Sequence, residues 1–143
     1  MKIFGPVRAA LPVAILLVMA SPGHAQSTPE TLANEVLSAY QKGDIDRFSQ
    51  IVTASPLLDN TATLAAQIKT NIQTLLDIYG PVEGWELVQT KSASDRYIEN
   101  SYVIFQDEYA TRLELSFYKR SSGWIITSFK IDDNIGALLE DTD

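Results

Sequence analysis

The chain has 143 residues and a formal net charge of −7, from 18 acidic and 11 basic residues. This acidic balance, with no basic stripe, argues against a nucleic-acid partner and against an anionic lipid surface. The chain contains no cysteine, which excludes disulfide bonds and cysteine-ligated metal sites.

The first 25 residues have the parts of a secretory signal peptide. Lys2 and Arg8 supply the positive start, and the apolar run 9–20 is too short to span a bilayer comfortably. Small residues ending at Ala25 then fit a signal-peptidase site. We therefore predict cleavage after residue 25 and a periplasmic or secreted location. The mature chain 26–143 should form a single domain with no membrane segment.

Three helices are predicted next, each with a polar cap and an apolar face. The first begins at 27–30 and ends at Gly43, and Asp44 caps a second, short helix. The third and longest runs from Thr61 to about Tyr79, where Gly80-Pro81 stops it. Its apolar face is wide enough to lie across a sheet.

Four β-strands follow, rich in aromatic and β-branched residues and separated by short polar turns. The predicted strands are Val82–Lys91, Arg96–Gln106, Tyr109–Lys119 and Trp124–Asp132. Helices followed by consecutive strands predict an α+β fold, with three N-terminal helices packed on one face of a four-stranded antiparallel meander.

The turns predict the register of this sheet. Asp107-Glu108 reads as a two-residue turn, and Gly123 suits a left-handed position opposite Lys119 in a three-residue turn. The predicted pairs are Tyr102–Leu113, Asn100–Leu115, Leu113–Phe129 and Phe117–Ile125. Because side chains alternate between the faces of a strand, this register collects most large apolar residues on one inner face. That set is Trp85, Leu87, Ile98, Tyr102, Ile104, Leu113, Leu115, Phe117, Ile125, Phe129 and Ile131.

Two groups of residues are candidates for binding. On the polar outer face, the register groups Tyr97, Tyr118, Trp124 and Ile126, which would form a protein interface unless a loop or the C-terminal tail covers them. On the inner face, Gln89 and Asn100 lie beside Tyr102 and Trp85, a mixture typical of a site for a small apolar ligand. The alternative is that these polar groups hydrogen-bond buried backbone where the sheet bends.

Catalytic and metal-binding chemistry find little support in the sequence. His24, the single histidine, leaves with the signal peptide, so the mature chain has neither an imidazole base nor a thiol nucleophile. The strand carboxylates fall mostly on the outer face, which argues against a carboxylate enzyme. Asp132-Asp133-Asn134 lacks the alternating oxygen ligands of a calcium loop and reads as a helix cap. We name no catalytic residue, no metal ligand and no cofactor.

The order of elements resembles the nuclear-transport-factor-2-like superfamily, the cystatin-like α+β cone that includes ketosteroid isomerase. It also resembles small exported bacterial proteins of that shape. The residues behind this are 75–81 leading into Gly84-Trp85, then 115–118, 123–125 and 129–134. The resemblance implies a curved sheet, a pocket between the sheet and the long helix, and often a dimer through the open sheet face. It does not imply a reaction, since one fold hosts many functions.

These observations favour an exported, non-enzymatic domain that acts through its open sheet face, as a homodimer or with a protein partner. The second hypothesis is a carrier of a small apolar ligand in the inner pocket. The third is a histidine-free enzyme that uses carboxylates near Tyr102.

Overall fold

The computed structural model describes residues 27–55 and 58–140. The predicted signal peptide 1–25 lies outside the described residues. The helices are α1 Pro29–Gln41, α2 Ile45–Val52, α3 Thr61–Tyr79 and α4 Ala137–Glu140. The strands are β1 Val82–Ser94, β2 Tyr97–Gln106, β3 Ala110–Arg120 and β4 Gly123–Asp132. Three helices thus precede a four-stranded antiparallel sheet of order β1-β2-β3-β4, which confirms the predicted α+β fold.

Helices α1 and α2 begin where the sequence supplies a side-chain cap. Thr28 Oγ1 accepts a hydrogen bond from the Thr31 amide at 3.2 Å, and Thr31 Oγ1 accepts one from the Thr28 amide at 2.8 Å. Asp44 Oδ1 accepts one from the Arg47 amide at 3.0 Å. Each cap satisfies backbone donors that the first helical turn leaves without a partner.

Helix α3 has the predicted bounds and ends at Gly80, where φ is +83°. A side chain at this position would be strained, and its Cβ would lie 2.9 Å from the Cβ of Asp107. Gln106 Nε2 donates a hydrogen bond to the Gly80 carbonyl at 2.8 Å. The end of α3 is therefore tied to the turn between β2 and β3.

The β2–β3 hairpin has the predicted register, with Tyr102 opposite Leu113 and Asn100 opposite Leu115. The Gln106 amide donates to the Tyr109 carbonyl at 3.0 Å, which closes the two-residue turn at Asp107-Glu108. The central pair of strands was therefore predictable from alternation and turn length alone.

The β3–β4 hairpin differs from the prediction in two places. Gly123 lies opposite Arg120, so the turn has two residues and the near half of β4 shifts by one position. Thr127 is then a bulge, because Ser116 pairs with Ser128 while the next residue of β3 pairs with Ile126. The observed pairs are Phe117–Ile126, Leu115–Phe129 and Leu113–Ile131. Ile126 consequently faces inward and Ile125 outward, the reverse of the prediction, whereas Phe129 and Ile131 face inward as expected.

Strand β1 is also bulged, with register shifts between Val82 and Gly84, Leu87 and Gln89, and Ser92 and Ser94. The second shift places Gln89 opposite Ser101 and Thr90 opposite Asn100. Gln89 therefore lies on the outer face and Thr90 takes the inward position that the sequence analysis gave to Gln89. Bulges of this kind bend a strand, and they give the sheet its curvature.

The core lies between the inner face of the sheet and the helices. Leu113, Leu115 and Phe117 of β3 are fully buried, and Phe129 is partly buried against them. Helix α1 contacts β1 and β4, α2 contacts β4, and α3 packs on α2. The ring of Phe48 on α2 meets that of Phe129 edge-on, with centroids 6.0 Å apart. Helix α3 adds two buried residues, Ile68 and Ile72.

A buried network of hydrogen bonds connects the helices and strands at one end of this core. Tyr40 Oη donates to Gln106 Oε1 at 3.2 Å, and Thr111 Oγ1 donates to the same oxygen at 2.8 Å. Burial raises the pKa of Tyr40 from 10.0 to about 12, although its hydrogen bonds with Thr111 and Gln106 act to lower it. The network thus joins α1, β2 and β3, and Gln106 extends it to the end of α3.

Candidate functional site

The outer face is the side of the sheet opposite α1 and α2. Strand alternation assigns to it Tyr97, Ser101, Val103 and Phe105 of β2 and Arg112, Glu114, Ser116 and Tyr118 of β3. β4 adds Ile125, Ser128, Lys130 and Asp132. The face divides along the strands into a tyrosine end, a polar middle and an acidic end.

The tyrosine end consists of Arg96, Tyr97, Tyr118 and Ile125. Tyr97 pairs across the strands with Tyr118, which in turn pairs with Ile125. The Arg96 guanidinium lies 5.3 Å from the centroid of the Tyr118 ring and donates to its hydroxyl at 3.2 Å. Arg96 also donates to the Lys119 carbonyl at 3.0 Å, which holds the guanidinium in place. Tyr97 keeps 38% of its surface exposed, so an aromatic side chain faces outward beside a fixed cation.

The polar middle consists of side chains that pair within the sheet. Arg112 contacts Glu114 at 3.1 Å and Asp132 at 2.7 Å, and Lys130 contacts Asp132 at 3.3 Å. Partial burial acts to raise the pKa of Asp132, but hydrogen bonds from Arg112, the Asn134 amide and Lys130 outweigh it and leave that pKa below the usual 3.8. When a second protein surface covers the sheet, charges that are already paired with each other lose less solvation free energy than isolated charges do.

A hydroxyl chain crosses the same middle region. Ser128 Oγ donates to Ser116 Oγ at 3.1 Å, and Ser116 Oγ donates to Glu99 Oε2 at 3.3 Å. Ser101, Arg112 and Ser116 are all buried. The centre of the face therefore consists of short or tightly paired side chains, with larger aromatic groups toward both ends.

The acidic end consists of Phe105, Asp107 and Glu108. Phe105 pairs with Ala110 and is 44% exposed. Nearby, Tyr109 is 53% exposed and its ring centroid lies 5.9 Å from that of Tyr79. Phe105 is not among the residues predicted from the sequence, although the alternation of β2 from Tyr97 onward was the signal that could have found it.

A phenol–carboxylate contact adjoins the acidic end. Tyr79 Oη donates to Asp133 Oδ2 at 2.5 Å. This hydrogen bond is the main reason why the pKa of Tyr79 is raised. The contact joins the end of α3 to the residue after β4, in solvent, so we read it as a structural link between elements.

The predicted interface group is divided between the two faces. Tyr97 and Tyr118 lie together on the outer face, as predicted. Trp124 packs against the core and Ile126 is buried at 5% exposure, so both belong to the inner face. The physical reason is the two-residue turn, which reverses the alternation of β4 as far as the bulge at Thr127. Ile125 takes the outward position beside Tyr118, and only the exact turn length could have revealed this.

The predicted ligand group is also divided. Asn100 and Tyr102 are buried on the inner face, Trp85 packs against the core, and Gln89 lies on the outer face. Thr90 Oγ1 donates to Asn100 Oδ1 at 2.9 Å, and Asn100 Nδ2 donates to Tyr102 Oη at 3.2 Å. Burial is the main cause that raises the pKa of the Tyr102 phenol. These polar groups therefore satisfy one another.

Several clefts of the described structure lie elsewhere. A groove of about 200 Å³ runs between α1, α2 and the start of β4, with Leu32, Ile51 and Trp124 in its walls. An ion pair of 3.0 Å between Arg47 and Glu35 stands at its rim. Wider clefts of about 600 and 500 Å³ lie along the polar surface of α3. Neither the groove nor these clefts are lined by Asn100 or Tyr102.

Two further properties bear on function. Within residues 27–55 and 58–140, no group of three or more histidine, cysteine, aspartate or glutamate side chains is arranged to hold a metal ion. In the same ranges, no helix combines the length and the apolar character that crossing a membrane requires.

Comparison with solved structures identifies the fold. A Thiobacillus denitrificans protein, provisionally described as a calcium/calmodulin-dependent protein kinase type II association domain, matches with a TM-score of 0.55 at 13% identity; the match covers 74% of this chain and 94% of that one. A Campylobacter jejuni protein, provisionally described as an NTF2-like transpeptidase, matches with a TM-score of 0.54 at 14% identity, covering 70% and 97%. An NTF-2-like protein of unknown function from Shewanella oneidensis matches with a TM-score of 0.50 at 17% identity, covering 73% and 95%.

These matches show that the chain has the nuclear-transport-factor-2-like fold, as its sequence suggested. No protein-family model matches the sequence, and the search of curated proteins found no similar one. At this level of identity the matches establish architecture, and the choice among functions depends on the surfaces described above.

Proposed function

We propose that the mature domain is an exported, non-catalytic interaction module that binds a protein through its outer face. The partner is a second copy of the chain or another protein. The observation that carries the proposal is the composition of that face. Exposed aromatic groups, Tyr97 and Phe105, lie at its two ends, and the charges between them are paired within the sheet.

The dimensions of the face suit a protein interface. Four strands spaced about 4.8 Å apart and about 10 residues long present roughly 600 Å². A standard interface covers about 800 Å² on each partner, so the face and its bordering turns come close to that size. Aromatic and arginine side chains are the residues that most often dominate binding energy, and the tyrosine end supplies both kinds.

A catalytic role has weaker support from the described residues. Three acids of the outer face, Glu114, Asp132 and Glu99, are engaged by Arg112, Lys130 and Ser116, which suits a structural network more than acid–base chemistry. Across from the inner face, the exposed Glu30 of α1 is an acid whose charge helps to raise the pKa of Tyr102. One distant carboxylate does not provide the base and oxyanion donor that a ketosteroid-isomerase-like reaction requires.

The names of the structural relatives point in both directions, since the Thiobacillus denitrificans protein is described as an association domain and the Campylobacter jejuni protein as a transpeptidase. The alternative function, a carrier of a small apolar ligand, would use Asn100 and Tyr102. We rank it second because those two side chains bond to each other and to Thr90.

The proposal is tested by measuring the mass of residues 26–143 in solution by sedimentation. We expect a dimer, or a stable complex with a protein partner, that Tyr118→Glu disrupts while the melting temperature changes little. Ile78→Glu is the matched control, because Ile78 is 56% exposed on α3, away from the outer face. A monomer at high micromolar concentration that captures no partner from its host would contradict the proposal, as would equal effects of the two variants.

A further inference from the structure

The charged residues of the outer face and its bordering turns fall into three groups. In the middle, residues that lie opposite each other carry opposite charges; these pairs are Lys91–Glu99, Arg112–Asp132 and Glu114–Lys130. Toward the acidic end the charges are negative, at Asp107, Glu108 and Asp133 and, on β1, at Glu83 and Glu86. Among the described residues of this face and its turns, positive charge is in excess at the tyrosine end alone.

Two hairpin turns meet at the tyrosine end and bring three basic residues together. The turn between β1 and β2 carries Arg96, and the end of β3 carries Lys119 and Arg120. The Lys119 amide donates to the Arg96 carbonyl at 2.9 Å, so the two turns are neighbours in space. Asp95, in the first turn, forms no ion pair with any described residue. In a chain with a net charge of −7, this corner is therefore a local site of positive charge.

The two arginines of this corner retain donors for an external partner. Arg96 donates from Nε and Nη2 to the Lys119 carbonyl at 3.2 and 3.0 Å, and from Nη2 to the Tyr118 hydroxyl at 3.2 Å, but no described residue accepts a hydrogen bond from its Nη1. Arg120 forms no ion pair within the described ranges, and its buried Nε has no hydrogen-bond partner there. A buried donor without an acceptor costs free energy. Arg120 would therefore gain if its side chain turned outward to meet an acceptor.

A carboxylate on a protein is the acceptor that this corner fits best. A guanidinium presents parallel N–H donors that match the two oxygens of a carboxylate, and arginine clusters recur where acidic motifs are recognised. The negative charge of the chain as a whole repels a doubly charged phosphate more than a singly charged carboxylate. None of the clefts described above is lined by Arg96 or Arg120, and a surface without a cleft suits a protein segment better than a small molecule.

Apolar surface lies directly beside these cations. Tyr97, which is 38% exposed, pairs with Tyr118, and Tyr118 pairs with Ile125. This row is next to Arg96 along β2 and next to Arg120 along β3. A segment with a carboxylate beside a large apolar side chain would therefore contact both kinds of surface at once, and aromatic and arginine contacts of this kind dominate binding energy.

We propose that the protein partner presents an acidic segment to the tyrosine end, with a carboxylate side chain on Arg96 and Arg120 and a neighbouring apolar side chain on Tyr97. This inference rests on the proposed function and adds to it the chemistry of the partner. The acidic end does not receive the same segment, because Asp107 and Glu108 repel it. The charges thus also determine which end of the face the segment occupies.

Selection from a library of random peptides displayed on phage tests the chemistry of the partner. Residues 26–143 are immobilised, and the bound peptides are sequenced. We expect the enriched peptides to carry aspartate or glutamate beside leucine, isoleucine, phenylalanine or tyrosine. Replacing the acids of a selected peptide by asparagine or glutamine should weaken its binding about ten-fold, which is the loss of about 1.4 kcal/mol. Added salt should weaken the binding of the acidic peptide and leave that of the amide peptide nearly unchanged.

Charge-reversal variants locate the bound peptide. Arg120→Glu should weaken the binding of a selected acidic peptide by about ten-fold or more, because like charges then face each other. Lys42→Glu, at the end of α1, is the control with the same change in net charge, and it should change the affinity by no more than about two-fold. Melting temperatures close to that of the parent chain show that both variants are folded.

Nuclear magnetic resonance of the arginine side chains gives a direct measurement of the contact. The selected peptide should shift the Nε–H signals of Arg96 and Arg120, since the Arg120 Nε gains an acceptor and the Arg96 guanidinium gains a second anionic neighbour. The Nε–H signal of Arg112 is the internal control. It should stay in place, because Arg112 Nε already donates to Asp132 Oδ1 at 3.1 Å within the sheet.

The other outcomes contradict the inference, and they are distinct from failure of the proposed function. Enriched peptides without acids, or no enrichment, would show that the partner's segment is not acidic. Acidic peptides that bind Arg120→Glu as tightly as the parent chain would dock elsewhere. A dimer that the peptide does not displace would make a second copy the occupant. The proposed function fails if Tyr118→Glu leaves the native complex intact, whereas a complex that is lost in Tyr118→Glu but kept in Arg120→Glu defeats this inference alone.

Discussion

The two faces of the sheet come from the same strands but differ in exposure: one is buried under helices, and the other carries exposed aromatic groups. On the inner face, Leu113, Leu115 and Phe117 have no exposed surface, and polar neighbours such as Asn100 bond to other side chains of the same face. On the outer face, Arg112 and Asp132 pair along the surface of the sheet, and large aromatic groups remain exposed toward the ends. The inner face therefore supplies most of the apolar burial, and the exposed aromatic groups at the ends of the outer face are the ones that can change with little loss of stability.

A single residue in a strand decides which face the following side chains belong to. Because side chains alternate strictly along a strand, one additional residue transfers every following side chain to the other side. In β4 this happens at Thr127, which lets Trp124 and Ile126 share the inner face with Phe129 and Ile131. The difference between the faces depends on bulges as much as on composition.

Deletion of Thr127 should have the largest effect. Without the bulge, either Trp124 and Ile126 or the residues beyond must face outward, and exposing two large apolar side chains costs roughly 3–6 kcal/mol. Chemical denaturation of residues 26–143 measures the loss. Thr127→Ser is the control, since it keeps both the bulge and the hydroxyl that donates to the Ser116 carbonyl at 3.3 Å. A deletion variant as stable as the control would show that the bulge does not separate the faces.

The same substitution on each face should give the next largest difference. Phe117→Ala removes a fully buried ring and should lower the free energy of unfolding by about 3–5 kcal/mol. Phe105→Ala removes a ring that is 44% exposed and should cost less than about 1 kcal/mol. Both values come from urea titrations of the monomeric form, for example in the Tyr118→Glu background. Equal losses would mean that the outer face contributes to the core.

Alkaline pH should give the smallest effect, and its largest part should come from a buried phenol on the inner side. Burial raises the pKa of Tyr40 to about 12 from 10.0, so the unfolded chain releases this proton first. Stability is complete below pH 10 and falls as the pH rises from 10 to 12, by no more than about 3 kcal/mol. Tyr40→Phe should flatten this decline, although the variant loses the hydrogen bond to Gln106.

The matched control for that titration is Tyr97→Phe, on the exposed tyrosine end. It should keep the alkaline decline of the parent chain, measured by the melting temperature at each pH. A decline that Tyr40→Phe leaves unchanged would assign the effect to other phenols, among which Tyr79 and Tyr102 also have raised pKa values.

Predictions from the sequence were accurate where one local signal was decisive. Helix α3 has the predicted ends because Gly80-Pro81 stops it, and the β2–β3 register follows from a two-residue turn between long alternating strands. They were wrong where a bulge intervened, as for Gln89 on β1 and for Trp124 and Ile126 on β4. A bulge leaves no clear trace in sequence, because the extra residue resembles its neighbours in size and polarity.

For the candidate site, the sequence alone placed Tyr97 and Tyr118 together on the outer face. It could not find Ile125 or the pairing of Arg112 with Asp132, and it did not show that Asn100 and Tyr102 bond to each other. Such facts depend on which residues meet across strands, and this is set by turn geometry and by how the helices cover one face. Local composition determined the elements and their order. Only tertiary packing decided the side on which each residue lies, because one residue more or less in a strand reverses it.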